Sequence, residues 1–207
     1  MDADWSAECG TDDPVLVVPW SGDSSDPTNP QPLQFIDLRE NPYDLDQIQE
    51  AEHHPALLQA LRALNAGRSP VFTAKCDAWP LSPEELEHLA LTLATEPVES
   101  AHGFASYIDL IWRERSLFVS RHRHEQLLDS LIRSAEPLDL PHAVLECIVR
   151  PALVDLTGPQ EGFAVTLYLK ALGPDATSAY ANWAEALESA VALIRNSDRT
   201  NPRSKAR

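Results

Sequence analysis

Glycine is scarce in this chain, seven residues in 207, and none of the seven falls in G-x-G-x-x-G or in the Walker A pattern. The backbone loops that wrap the phosphates of common nucleotides are therefore missing. Cysteine is rarer still. Cys9, Cys76 and Cys147 are odd in number and widely spaced, with no C-x-x-C among them, which points to reduced thiols in a cytosol rather than to a disulfide framework. H-E-x-x-H and G-x-S-x-G are absent too, which excludes the common zinc-protease and serine-hydrolase signatures.

Positive charge is also short: 16 basic side chains against 32 acidic ones give a formal net charge of −16. Most of such a surface repels a phosphate backbone or an anionic bilayer, so neither nucleic acid nor membrane is expected as a partner. No apolar run approaches the roughly 18 residues of a spanning helix. The acidic start, Met1 to Glu8, has neither the basic nor the apolar region of a signal peptide. A cytoplasmic protein without a cofactor is the expectation.

What is present is alternation. Val71 to Asp77 is rich in β-formers and closes at Trp79-Pro80, which predicts a strand. Ser82-Pro83-Glu84-Glu85 follows with the spacing of a capping box and with proline at the first helical position. Leu86, Leu89, Ala90 and Leu93 then recur at helical spacing. From Gly103 to Trp112, one face carries Phe104, Ser106, Ile108, Leu110 and Trp112, and the other Ala105, Tyr107, Asp109 and Ile111. Arg113-Glu114-Arg115 reads as a charged turn, and Leu117 to Val119 as a short return strand.

Ser120 is placed to cap a helix with the stripe Leu127, Leu128, Leu131 and Ile132. Two more strands alternate Leu145, Cys147 and Val149 with Glu146, Ile148 and Arg150, then Phe163, Val165, Leu167 and Leu169 with Ala164, Thr166, Tyr168 and Lys170. Pro151 bends the first of these or sets it near an edge. After the turn Gly173-Pro174-Asp175, a last helix carries Tyr180, Trp183, Leu187, Val191 and Ile194 on one side.

This order predicts an α+β fold: a two-layer sandwich with a mainly antiparallel, ferredoxin-like βαββαβ sheet, plus an extra C-terminal strand and helix. The main domain spans 69–196. An N-terminal extension over 15–68 packs on it, with strands at Val15 to Val18 and Leu33 to Leu38, a proline-rich loop from Ser21 to Pro32, a helix ending at His54 before Pro55, and a second helix closed by Gly67 in a left-handed position. Residues 1–14 and 197–207 read as a disordered acidic tail and a disordered basic tail. Gly103-Phe-Ala and Gly162-Phe-Ala resemble one another, but the elements that follow them differ, so coincidence is preferred to internal duplication.

Three constellations carry chemistry. In the sheet face away from the helices, the predicted order puts Thr73, Lys75 and Asp77 of a central strand beside Tyr107, Asp109, Glu146, Arg150, Tyr168 and Lys170. Charges there need cross-strand partners once covered. A partial cover would leave a polar cleft in which burial tunes Lys75 or Asp77 for acid–base work, with Glu146 as the third group. The plain alternative is a wet sheet face with ordinary ion pairs. His122, His124 and Glu125 are a possible set of metal ligands, against the plainer reading of a solvated helix start. His53-His54 is a helix entry.

Three functions compete. The leading one is a binding or protein-interaction module, with a protein partner or a homo-oligomer formed through the sheet. The second is a small-molecule enzyme using Lys75, Asp77 and Glu146, with Tyr107, Asp109, Arg150, Tyr168 and Lys170 as binding residues. The weakest is metal binding. The fold class alone does not choose between them.

Overall fold

A computed structural model describes residues 1–21, 33–41, 44–93 and 101–197. The chain is mixed α+β, with one six-stranded sheet and helices packed on it. Its strands are β1 (Asp2–Ala7), β2 (Leu16–Val18), β5 (Val71–Pro80), β6 (His102–Trp112), β7 (Ala143–Val154) and β8 (Gln160–Gly173). Two short strands, β3 (Trp20–Ser21) and β4 (Leu33–Gln34), pair with each other. The helices are α1 (Gln49–His53), α2 (Pro55–Asn65), α3 (Pro83–Thr92), α4 (Arg115–Phe118), α5 (Arg121–Ala135) and α6 (Ala176–Asn196), and a 3-10 turn spans Asp44–Gln47. Among the described residues, no helix is long and apolar enough to cross a membrane.

The capping residues read from the sequence are the ones used. Ser82 and Glu85 close a reciprocal capping box at α3. Ser120 accepts from the Arg123 amide, and Asp175 from the Ser178 amide at 2.7 Å. Each satisfies a backbone donor that a helix start leaves unpaired. Gly67 does not take the left-handed position; among the described glycines that conformation belongs to Gly158, with φ 116°, in the turn between β7 and β8.

The strand order is β1-β7-β8-β6-β5, with β2 on the same edge of β7 as β1. The pairs β5–β6, β6–β8 and β8–β7 are antiparallel, and β1 and β2 run parallel to β7. This corrects the ferredoxin-like order, in which β5 would be central: β5 is an edge strand. One cause is local. Leu117 to Val119 is not a strand, because the amides of Leu117 and Phe118 turn back to the Glu114 carbonyl and wind α4. The segment between β6 and β7 is therefore helical, and β8 enters the sheet between those two strands.

A second correction concerns the N-terminus. Asp2–Ala7 is a strand, not a disordered tail. Ala3 is buried and Trp5 half-buried on the helix side, where the Trp5 indole donates to Asp129 at 2.8 Å. Asp2, Asp4 and Ser6 alternate onto the other face, so a strand period lies beneath the acidic composition. The polar loop expected over Ser21 to Pro32 and the basic tail after Ser197 lie almost wholly outside the described residues.

One face of the sheet packs on α2, α5 and α6. It carries Ile108, Leu110, Leu145, Cys147, Leu167 and Leu169, each 1% exposed or less, against Trp183, Leu187 and Leu128. The opposite face is not bare. At one end α3 lays Leu86, Leu89 and Ala90 over Ala105, Leu172 and Val144. At the other end Val18, Phe118 and Val154 join Phe72, Ile111 and Ala164.

Glycine makes both approaches possible. A Cβ on Gly103 would lie 2.6 Å from Leu81 and Leu86 side-chain carbons, and one on Gly162 would lie 2.6 Å from the Phe118 ring and backbone oxygen. The two Gly-Phe-Ala triplets thus do the same work at opposite ends of antiparallel neighbours. Each admits a covering side chain onto one face and sends its phenylalanine to the other.

Candidate functional site

Between the two apolar ends of the covered face runs a polar strip, and the register states who meets whom. Asp77, Tyr107, Tyr168, Glu146 and Asp4 form one row across β5, β6, β8, β7 and β1. Trp79, Tyr107 and Tyr168 follow one another with ring centroids 6.2 and 6.0 Å apart, the cross-strand aromatic spacing that stabilises a sheet face. In the next row Asp109 faces Thr166, whose hydroxyl donates to the Asp109 carboxylate at 2.6 Å.

A β-bulge between Thr73 and Cys76 sets the β5 side of the strip. Two residues, Ala74 and Lys75, stand where β6 offers only Asp109, and the alternation reverses across them. Thr73 therefore turns to the helix face, contrary to the expectation from simple alternation. There its amide donates to the Asn65 side-chain oxygen at 3.0 Å, and its hydroxyl accepts from the Asn65 amide group at 2.8 Å. Asp77 stays on the strip face but on an exposed edge strand, where it accepts from the Ala78 amide at 2.7 Å.

Lys75, Tyr107, Asp109, Arg150, Thr166 and Tyr168 line an open cleft of about 360 Å³, rimmed by Pro14, Val15 and Leu16. A larger one of about 830 Å³ shares Lys75 and Tyr107 and is walled by Phe35, Ile36 and Leu38. Asp109 lies on the floor and is only 5% exposed. Burial raises its carboxyl above the ordinary carboxylate range, while the Thr166 hydrogen bond and the charges of Arg150 and Lys75 oppose that rise. Arg150 holds Glu8 at 3.0 Å, and its Nε is buried without a hydrogen-bond partner among the described residues. The Tyr107 phenol is pushed up to about 12 by burial and by Asp109 and Asp77, so it stays a neutral donor.

The expected acid–base trio does not assemble. Lys75 reaches the cleft, Asp77 lies outside it, and Glu146 stands on β7, within 3.6 Å of Lys170, with β6 and β8 between it and β5. Asp109 takes the central place instead. Thr166 and Glu8 escaped the sequence reading. Thr166 shares the alternation of Tyr168 and Lys170, which is a signal of its side; Glu8 follows directly on β1, in the stretch masked by acidic composition.

The histidine set is divided by its helix. The His122 side chain is 75% exposed, whereas His124 is fully buried. The His124 Nδ1–H donates to the Ser120 carbonyl at 3.0 Å, and its ring meets Trp112 edge-on at 5.2 Å. Glu125 bonds Arg121 at 2.8 Å. Among the described residues no three His, Cys, Asp or Glu side chains are grouped to hold a metal ion. Cys76 and Cys147 are both raised to about 12, chiefly by burial, so neither is a thiolate nucleophile. No family model, curated protein or solved structure matches the chain.

Proposed function

We propose that the protein is a binding module whose site is the Asp109 cleft, and that its ligand is a small polar molecule bearing an anionic group. The observation that carries this reading is a buried carboxyl flanked by two cations on the floor of an open cleft, with the buried Arg150 Nε–H lacking an acceptor among the described residues. Arginine and lysine supply charge-assisted donors for a carboxylate or phosphate. Tyr107 and Tyr168 supply aromatic walls, and Asp109 with Thr166 fixes a polar part of the ligand. Such a combination of apolar walls and a few convergent polar groups is the usual make-up of a small-molecule site.

A sheet-edge homo-oligomer has less support. On β5 the Thr73 amide is taken by Asn65, the Val71 carbonyl by the Arg113 side chain at 2.9 Å and the Ala78 amide by Asp77. Pro80 has no N–H. Side chains thus occupy three of the groups on β5 that strand addition would use. A reducing cytosol is consistent with Cys9, Cys76 and Cys147 all being free thiols.

The raised Asp109 carboxyl favours one further reading, an enzyme in which Asp109 rather than Asp77 or Glu146 moves the proton, because a carboxyl lifted by burial in a cleft is suited to that task. Ligand-observed NMR with a panel of small carboxylates and phosphate esters tests the binding reading. At least one should show saturable binding that Arg150→Gln and Lys75→Gln each weaken. A panel that binds equally well to both variants, or not at all, would refute it.

A further inference from the structure

Beyond the Phe72–Ile111 end of the covered face is a further, smaller cleft of about 270 Å³, lined in part by Arg39, Arg113 and Arg115. Three arginines in one cleft are unexpected on a chain with twice as many acidic as basic side chains. Arg39 sits over the Phe72 ring, its guanidinium carbon 4.5 Å from the centroid, and Arg113 stands 5.9 Å from the same centroid. Cation–π attraction holds each near the ring. Their like charges repel, and burial together with the charge of Arg39 lowers the proton affinity of Arg113.

Both guanidiniums are fixed from behind. Arg39 binds Asp37 through Nε at 2.8 Å and Nη2 at 2.6 Å. Arg113 donates through Nε to the Val71 carbonyl at 2.9 Å and through Nη2 to the Asn65 carbonyl at 3.2 Å. Among the described residues, Nη1 of each makes no hydrogen bond. Arg115 reaches the same cleft and donates through Nη1 to Gln160 at 3.2 Å. Asp37 offsets the charge of Arg39, and all three arginine side chains line one cleft open to solvent.

We propose that this cleft is a second binding site, for a small multiply charged oxyanion gripped by the outward N–H groups of Arg39 and Arg113, with Arg115 at its rim. The donor geometry is already set by the hydrogen bonds behind the two guanidiniums, so little side-chain entropy is lost on binding. A phosphoryl group and a dicarboxylate share the required chemistry. The site is independent of the Asp109 cleft and stands or falls without it.

Titration of the full chain with pyrophosphate and, separately, with succinate tests the proposal and tells the two sources apart. In the wild-type protein the Nε–Hε NMR signals of Arg39 and Arg113, both hydrogen-bonded and so protected from exchange, should move saturably with at least one of the two anions. Arg39→Gln and Arg113→Gln should each weaken binding by about tenfold or more. Arg133→Gln, an exposed charge on α5, should not. Asp37→Asn should tighten binding, because it removes the competing carboxylate; arginines that merely roof Phe72 would give no such gain. Signals that stay still under both anions, or binding that survives Arg113→Gln or Arg39→Gln in a folded variant, would overturn the proposal.

Discussion

Thr166 donates its hydroxyl proton to Asp109 at 2.6 Å across the β6–β8 pair, and both residues are buried. Thr166→Val keeps the shape and removes the donor. The loss should destabilise the fold by about 1–3 kcal/mol, the usual magnitude for a buried acceptor left unpaired. It should also lift the Asp109 carboxyl further, since the hydrogen bond holds it down. Urea unfolding of the variant at neutral pH measures the first effect.

The raised Asp109 carboxyl fixes a sign. Its contribution to stability is complete below the ordinary carboxylate value of 3.8 and is lost as pH rises through the higher folded value. Asp109→Asn cannot ionise and retains an oxygen for Thr166. Its stability relative to wild type should therefore improve from pH 3 toward pH 7, by an amount read from paired unfolding curves.

His124 has the opposite sign. Burial depresses it below the ordinary histidine value of 6.5, so the stability that it contributes is present above that value and is lost as pH falls through its folded one. His124→Phe keeps the ring against Trp112 and cannot be protonated. Its unfolding free energy should fall less steeply below pH 6.5 than that of wild type; parallel curves would remove His124 as the cause.

Glycines of the sheet divide by what an added methyl would strike. On Gly173 a Cβ would lie 2.3 Å from the Ala179 backbone nitrogen, whereas on Gly103 it meets only leucine side-chain atoms. Gly173→Ala should destabilise by about 1–3 kcal/mol or more, as an overpacked site does. Gly103→Ala should be milder, since leucine termini can move where a helix backbone cannot. Midpoints of guanidinium unfolding rank the two.

Much of this architecture is legible in residue order. Phe163 to Leu169 and Leu145 to Val149 announce their faces because one side of each strand is apolar under α5 and α6 and the other carries the polar strip. Ser82 and Glu85 announce α3 because capping chemistry is local. What escapes is tertiary or one residue long. The bulge at Ala74 and Lys75 reverses a face without changing composition, and so sends Thr73 to Asn65. The acids of Asp2–Ala7 hide a strand whose partner lies about 140 residues on. Strand order is set by long-range pairing, and no local pattern records that β8 enters between β6 and β7. Tyr107, Asp109, Arg150 and Tyr168 were identifiable as neighbours because period-two alternation brings them to one face. Asp109 rather than Asp77 became the centre because β5 is an edge.

The most direct measurement is the titration of the Asp109 side chain, followed through its carboxyl carbon NMR signal in wild type and in Arg150→Gln. A partly dehydrated cleft with Arg150 beside its floor predicts a midpoint above the ordinary carboxylate range in the wild type, and a higher one when the arginine charge is removed. A midpoint at or below that range, indifferent to Arg150, would mean that Asp109 lies in open water and that no such cleft exists.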